Sequence, residues 1–117
     1  MDLQPPECNL EVEPRGDVIV TRFTRQEVLS GLTAEAATQR LASLLPELGQ
    51  RRLLVDFANV LSLTSLMLGQ LVRLNQQAGG RLALFNLSPT IRQIMAVTKL
   101  NLILLLFDDE RGALQGA

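Results

Sequence analysis

The order of apolar and amphipathic segments after residue 51 most constrains what this chain can fold into. Residues 52–57 are almost continuously apolar, which predicts a strand buried on both faces of a sheet. Residues 65–78 carry apolar side chains every three or four positions, which predicts an amphipathic helix, and residues 81–85 repeat the buried-strand pattern. Two buried strands joined by a helix are typical of a right-handed βαβ unit. We therefore predict an α/β fold whose central strand is residues 52–57.

The residues before this unit predict further strands and one more helix. Residues 18–23 are rich in β-branched side chains and follow a turn signal at 14–17, so we expect a strand there. A short edge strand is predicted for residues 8–12. Residues 33–48 have apolar side chains at helical spacing, which predicts an amphipathic helix with Thr33 as its N-cap.

The residues after this unit predict a helix, a last strand and a short terminal helix. Ser88 is a suitable N-cap and is followed by a proline at the first helical position, so a helix is expected to about residue 98. Residues 102–107 form the longest apolar run and predict a last buried strand. Asp109 and its acidic neighbours suit the start of a short helix. Residues 58–64 are predicted to be a loop, and the whole chain, 1–117, is expected to be one domain with its core in residues 8–114.

The side-chain composition argues against an enzyme. Histidine is absent, which removes the usual general base and the commonest metal ligand. Cys8 is the only cysteine, so it cannot form an internal disulfide and has no histidine to activate it. The adjacent carboxylates Asp108 and Asp109 have an ordinary role at a helix start. Gly79 and Gly80 follow a helix and lack the lysine of a phosphate-binding loop. We therefore expect a non-enzymatic protein without metal or cofactor.

The charge and the apolar runs argue against two kinds of partner. The chain has 11 basic and 12 acidic residues spread along the sequence, so no basic surface for nucleic acid is expected. The longest apolar run is far shorter than the roughly 20 residues of a membrane helix. The first residues lack the basic and apolar regions of a signal peptide. We therefore expect a cytoplasmic protein with neither a nucleic-acid partner nor a membrane insertion.

The segment from residue 53 to 74 carries the most informative motif. A buried strand ends in Asp56, and after a loop the chain continues Leu63-Thr64-Ser65-Leu66-Met67-Leu68-Gly69-Gln70-Leu71. This order resembles the signature of the STAS domain family, the anti-sigma factor antagonists. The resemblance continues through residues 80–84, 88–92, 100 and 107–109, and covers about residues 17–114. It implies a STAS-type fold, with a mixed, mostly parallel sheet of four or five strands and flanking helices.

The resemblance also implies a function for Ser65, which falls on the family's phosphorylated serine. The implied partner is an anti-sigma factor that is itself an ATP-using serine kinase, so this chain would be its ligand and substrate. A helix start can hold a phosphoserine, because it offers unpaired N–H groups and the positive end of the helix dipole. The phosphate adds about −1.5 to −2 charges, which a partner surface would have to desolvate. The resemblance therefore implies a partner switch in transcription regulation that phosphorylation controls.

Three residues depart from the family's motif and keep alternatives open. Thr64 stands where an acid usually precedes the serine, Leu66 replaces a second small hydroxyl residue, and Met67 stands where glycine is common. Thr64 is then an alternative phosphate acceptor. Another alternative is a non-phosphorylated STAS scaffold module in a transporter or stress-signalling complex. The simplest alternative is that the hydroxyl of Ser65 only caps its helix, since serine is a common N-cap.

The neighbours of Ser65 complete the predicted site. Leu66 shares a helical face with Gln70, Arg73 and Gln77, so it is expected to be an exposed apolar anchor, the other possibility being partial burial under the preceding loop. The predicted partner-binding residues are Thr64, Ser65, Leu66, Gly69 and Arg73. Asp56 is expected to stabilise the loop after the central strand and not to perform chemistry.

Overall fold

The computed structural model describes residues 9–116, and the buried segments predicted from the sequence lie at the centre of its main sheet. In chain order the strands are β1 (Leu10–Arg15), β2 (Val18–Phe23), β3 (Glu27–Leu29), β4 (Arg52–Asp56), β5 (Val60–Leu63), β6 (Leu82–Phe85) and β7 (Leu105–Phe107). The helices are α1 (Gly31–Leu48), α2 (Ser65–Gln77), α3 (Pro89–Val97) and α4 (Glu110–Gln115), with a 3₁₀ turn at Leu100–Leu102.

The main sheet has five strands in the order β1-β2-β4-β6-β7, so β4 is central, as predicted. β1 and β2 form an antiparallel hairpin, and the other three pairs are parallel. The hairpin turns at Gly16, whose φ of 58° is in the left-handed region that glycine adopts readily. The prediction of a mixed, mostly parallel α/β sheet of four or five strands with flanking helices is confirmed.

The continuous apolar pattern of the central strands has a direct cause, because both faces of the sheet are covered. Leu53, Val55 and Leu84 belong to the larger core cluster, together with buried side chains of α1, α2 and α3. Leu54 and Phe85 belong to a smaller cluster on the other face, together with Ala113 of α4. A strand buried on both sides takes apolar side chains on both faces of its central part, so the alternation that marks a half-buried strand is lost.

Three predictions about the first half of the chain differ from the structure. Cys8 lies outside the described residues, and the predicted edge strand begins at Leu10 and extends to Arg15. α1 begins two residues before Thr33, with Ser30 as its N-cap, so the predicted cap is wrong. Thr33 instead occupies the third helical position, where its hydroxyl accepts the Ser30 N–H at 3.1 Å.

The predicted loop 58–64 contains a strand, β5, which pairs in parallel with β3 to form a separate two-stranded sheet. Both strands are very short and expose part of their apolar side chains, so their sequences lack the period of a longer strand. β5 lies directly before α2 in the chain, and β3 accepts the N–H of Thr64 at the start of that helix.

The predicted buried strand 102–107 is wrong in its first half. Lys99 is in the left-handed conformation and starts the 3₁₀ turn, so the strand is shortened to β7. Leu102 and Ile103 are exposed, because β7 lies at the edge of the sheet and nothing in the described part of the chain covers this corner. The predicted helices at residues 65–78 and 88–98 and the acidic start of the terminal helix are confirmed.

None of the helices within residues 9–116 combines the length and apolar character needed to cross a bilayer.

Candidate functional site

The candidate site is centred on the first turn of α2. Thr64 is the N-cap of this helix, and its Oγ1 accepts the Met67 N–H at 3.3 Å. The Thr64 N–H donates to the carbonyl of Leu29 at 3.1 Å, which ties the helix start to β3. Ser65 is therefore the first helical residue, and its exposed hydroxyl is not the cap. The alternative that Ser65 merely caps its helix is wrong.

The start of α2 keeps free backbone donors beside this hydroxyl. The first intrahelical bond runs from the Leu68 N–H to the Thr64 carbonyl, at 3.1 Å. The Met67 N–H is taken by Thr64, so the N–H groups of Ser65 and Leu66 have no acceptor within the helix. The first turn has no acidic residue. A negative group on the Ser65 hydroxyl would thus lie at the positive end of the helix dipole, and no acidic side chain in that turn would repel it.

Exposed apolar side chains lie on α2 and on the elements next to its start. Four large hydrophobic residues on β3, α1, β5 and α2 are 47% to 66% exposed, and we call them the switch patch: Val28, Leu32, Leu61 and Leu66. Leu32 and Leu66 line one cleft of about 420 Å³ between α1 and α2, together with Glu35 and Gln70. Large apolar side chains that cluster on a surface mark interaction sites more often than scattered ones do.

All five residues predicted to bind the partner are exposed. Leu66 is exposed, as its helical position predicted, and is not buried under the preceding loop. Gly69 lies one turn further along, and a Cβ atom built there would meet nothing within 4 Å. Arg73 follows on the next turn of the same side and adds a positive charge. Leu66, Gly69 and Arg73 thus share one solvent-facing side of α2, and the exposed Thr64 and Ser65 lie at its start.

The sequence interpretation missed Val28, Leu32 and Leu61, which make up most of the switch patch. Leu32 was placed before the predicted helix, and Leu61 was placed in a loop. Local signals for these residues are weak, because β3 and β5 have only three and four residues. The pairing of β3 with β5 brings the strands of Val28 and Leu61 together, and Leu32 shares a cleft with Leu66; both are tertiary features.

Asp56 lies at the end of β4, and both oxygens of its carboxylate accept hydrogen bonds from neighbouring residues. Oδ1 accepts the Ala58 N–H at 2.8 Å and the Asn86 side-chain amide at 3.1 Å. Oδ2 accepts from Arg22 Nη1 at 3.2 Å. Arg22 also donates to Glu110 of α4 at 2.7 Å, and this hydrogen bond is the largest of the effects that raise the pKa of the guanidinium. Asp56 therefore joins β2, β4 and the loops that follow β4 and β6.

Comparison with known proteins identifies the family. The STAS domain family model matches residues 9–113. This chain belongs to the STAS domain family. No curated protein sequence matches it. Solved structures resemble this STAS domain closely in fold at low identity, and the fold is what that likeness establishes.

Three of these structures illustrate the likeness. An anti-sigma-factor antagonist (STAS) domain protein from Planctomyces limnophilus has a TM-score of 0.82 and 19% identity, over 94% of this chain and 98% of that one. An anti-sigma factor antagonist from Mycobacterium paratuberculosis has a TM-score of 0.79 and 21% identity, over 91% and 90% of the two chains. The Bacillus cell fate determinant SpoIIAA in its phosphorylated form has a TM-score of 0.64 and 18% identity, over 91% and 96%.

The three departures of this STAS domain from the family's motif have different structural roles. Thr64 supplies the helix cap, and Leu66 contributes the only apolar side chain of α2 to the switch patch. Met67 is fully buried in the larger core cluster, where its sulfur accepts from the Thr38 hydroxyl at 3.7 Å. Two of the departures thus shape the surface next to Ser65, and the third fills the core beneath it.

Within residues 9–116 there is no group of three or more acidic or cysteine side chains that could hold a metal ion.

Proposed function

We propose that this chain is an anti-sigma factor antagonist-like switch in transcription regulation. The switch patch and the exposed side of α2 bind an anti-sigma factor serine kinase in the cytoplasm, and phosphorylation of Ser65 releases that partner. The observation that carries the proposal is that the neighbouring hydroxyls of Thr64 and Ser65 have different roles. Thr64 caps α2, which leaves the Ser65 hydroxyl exposed next to an apolar surface.

The geometry explains how one phosphate can act as a switch. A partner that covers Leu66 and Leu32 removes the surroundings of Ser65 from water. A phosphate of about −1.5 to −2 charges would then be desolvated inside an apolar contact, which costs several kcal/mol of binding free energy. Glu35 lines the same cleft and adds an acidic neighbour. The kinase therefore docks on the unmodified surface, and the phosphorylated form no longer binds it tightly.

The same geometry lets the folded domain tolerate the modification. The N–H groups of Ser65 and Leu66 can donate to a phosphate on the Ser65 hydroxyl, and the helix dipole favours a negative charge there. The Thr64 cap stays in place, because it uses a different hydroxyl. Phosphorylation thus changes the surface while α2 remains intact.

The phosphoryl transfer itself belongs to the partner. The γ-phosphoryl group of ATP moves to the Ser65 oxygen, the bond to ADP breaks, and the serine proton goes to a base of the kinase. This chain contributes the hydroxyl and the docking surface, and needs no metal or cofactor of its own. The names of the similar structures support this role, since two are anti-sigma factor antagonists and a third was solved in a phosphorylated form.

Phosphopeptide mapping tests the proposal directly. Trypsin cuts after Arg52 and Arg73, so residues 53–73 form one peptide that contains Ser62, Thr64 and Ser65. After incubation with the kinase from the native host and ATP, we expect one phosphate on Ser65. Ser65→Ala should abolish it, while Thr64→Val should retain it. A phosphate on Thr64 alone would make Thr64 the acceptor and contradict the assignment.

A second candidate function has one observation in its favour. The apolar Leu66 directly follows Ser65, where the family usually has a second small hydroxyl residue, and this suits a surface that binds permanently. In that case the chain is a non-phosphorylated STAS scaffold in a transporter or stress-signalling complex. Peptide 53–73 would then remain unmodified under every growth condition, and Ser65→Asp would bind the partner as well as Ser65→Ala does.

A further inference from the structure

The two edges of the main sheet differ in how they are protected against pairing with another strand. β1 forms one edge and carries Glu11, Glu13, Pro14 and Arg15, which are typical protecting residues. β7 forms the other edge and has the sequence Leu105-Leu106-Phe107, with no charge or proline. An unprotected apolar edge strand is a surface on which a further strand can add.

Exposed apolar side chains lie on β7 and on the segment that leads from α3 to it. Four large hydrophobic residues within nine positions of the chain are 39% to 78% exposed, and we call them the edge patch: Val97, Leu102, Ile103 and Leu105. A cleft of about 410 Å³ along α3, lined by Ile94, Val97 and polar neighbours, extends it. From their exposed fractions, these four side chains present on the order of 400 Å² of apolar surface, the size of the largest patch on a typical monomer.

The edge patch is separate from the switch patch. The chain enters α2 from the carboxyl end of β4, whereas α3 leads back to the amino end of β7. The edge patch therefore lies at the opposite end of the strands and on the outer edge of the sheet. A partner bound to the switch patch leaves it uncovered, so the proposed function does not account for it.

We propose that the edge patch binds a second copy of this chain, with β7 of each copy paired antiparallel across a two-fold axis near Leu106. In this arrangement Leu105 of one copy lies opposite Phe107 of the other, on the side of the sheet that carries α4. Each edge patch then covers the other, because a two-fold contact joins a surface to itself. An apolar area of this size forms the centre of a contact of about 800 Å² per copy, which is typical of a stable complex.

The charges at the two ends of the patch favour this direction of pairing. Lys99 is the only charged residue between positions 93 and 107 and starts the 3₁₀ turn that precedes the amino end of β7. Asp108 lies at the carboxyl end, and its side chain is 83% exposed although it accepts from Arg92 at 2.6 Å. An antiparallel contact brings the Lys99 end of each copy to the Asp108 end of the other. A second copy thus matches the patch in apolar surface and carries opposite charges toward the two ends of the contact.

The oligomeric state of the full chain in solution tests this proposal. Sedimentation equilibrium of the purified protein should show a monomer–dimer equilibrium. Leu105→Lys, which charges the edge strand, should weaken dimerisation by at least roughly tenfold. Leu102→Asp should do the same, and because Leu102 is 78% exposed this variant carries the test if Leu105→Lys fails to fold. Circular dichroism verifies the fold of each variant.

Controls separate this contact from the other surfaces. Glu11→Ala on the opposite edge and Leu66→Glu in the switch patch should leave the dimer unchanged. Amide hydrogen exchange of residues 105–107 should slow as the protein concentration rises. A chain that stays monomeric up to its solubility limit would overturn the proposal. A dimer that dissociates in the Leu66→Glu variant, but persists in the Leu105→Lys and Leu102→Asp variants, would also overturn it. Neither result depends on a phosphate at Ser65, so the proposed function is tested separately.

Discussion

The Oγ1 atom of Thr64 accepts the backbone N–H of Met67 at 3.3 Å, and this bond releases the neighbouring Ser65 from the capping role. A helix start with two adjacent hydroxyls can use either one as a cap. Here the Thr64 N–H is also bound to the Leu29 carbonyl, so β3 helps to fix which residue is the cap. The remaining hydroxyl is left available for modification.

The first prediction separates these two hydroxyls by their effect on stability. Thr64→Ala removes the cap and should lower the free energy of unfolding by about 1 kcal/mol, which urea denaturation can measure. Ser65→Ala should change it by less than about 0.5 kcal/mol, since an exposed side chain away from the cap is replaced. Thr64→Ser is the conservative control and should retain most of the stability. An equal loss in Thr64→Ala and Ser65→Ala would contradict the assignment of the cap.

The second prediction concerns partner binding through Leu66. Leu66→Glu puts a charge in the switch patch and should weaken binding of the proposed anti-sigma factor partner by at least about tenfold. Thermal unfolding should be unchanged, because the side chain is 61% exposed. Leu102→Glu is the matched control, an exposed leucine in the edge patch, and calorimetric titration should give it wild-type affinity. If both variants bind equally well, the switch patch is not the docking surface.

The third prediction compares two residues that depart from the family's motif. Met67→Gly restores the usual glycine but empties a fully buried position and should cost about 3–5 kcal/mol of stability. Leu66→Ser restores a small hydroxyl at an exposed position and should change stability by less than about 1 kcal/mol. Chemical denaturation of both variants measures the difference. Stabilities that are equal within error would show that Met67 does not fill the core.

The fourth prediction concerns Asp56, whose carboxylate accepts three hydrogen bonds. Asp56→Ala leaves the Ala58 N–H and the Asn86 amide without their acceptor and should cost about 2–3 kcal/mol. Asp56→Asn keeps one acceptor oxygen and should lose less. Phosphorylation of Ser65 in the folded fraction should be unaffected by Asp56→Asn. A loss of phosphorylation without a loss of stability would instead place Asp56 in the recognition of the kinase.

The central strands could be predicted from the sequence because burial on both faces leaves a strong pattern in it. Residues 52–57 and 81–85 are apolar at almost every position, and β4 and β6 form within them. The start of α1 could not be predicted as reliably, because Ser30 and Thr33 are both suitable caps. The choice between them depends on Val28, whose carbonyl accepts from the Ser30 N–H and from the Thr33 hydroxyl.

The candidate site also combines residues that the local sequence pattern predicts with residues that only tertiary contacts place there. The exposure of Leu66 agrees with the helical period of α2, whereas the choice of Thr64 over Ser65 as the cap also depends on the bond from Thr64 to β3. Val28 and Leu61 come near them only through the small β3-β5 sheet, which local patterns do not reveal. The apolar run at 102–107 shows a related ambiguity, since a sequence of six apolar residues does not distinguish a central strand from an exposed edge.

The position of α4 in the chain has a consequence for synthesis on the ribosome. This helix covers one face of the sheet with Ala113 and Leu114, is anchored by the bond between Glu110 and Arg22, and follows every strand in sequence. The sheet can assemble strand by strand while the chain emerges, but Phe85 and its neighbours on that face stay open to solvent until α4 has left the exit tunnel. A nascent chain stalled before residue 110 should therefore be a preferred client of chaperones that recognise apolar surface.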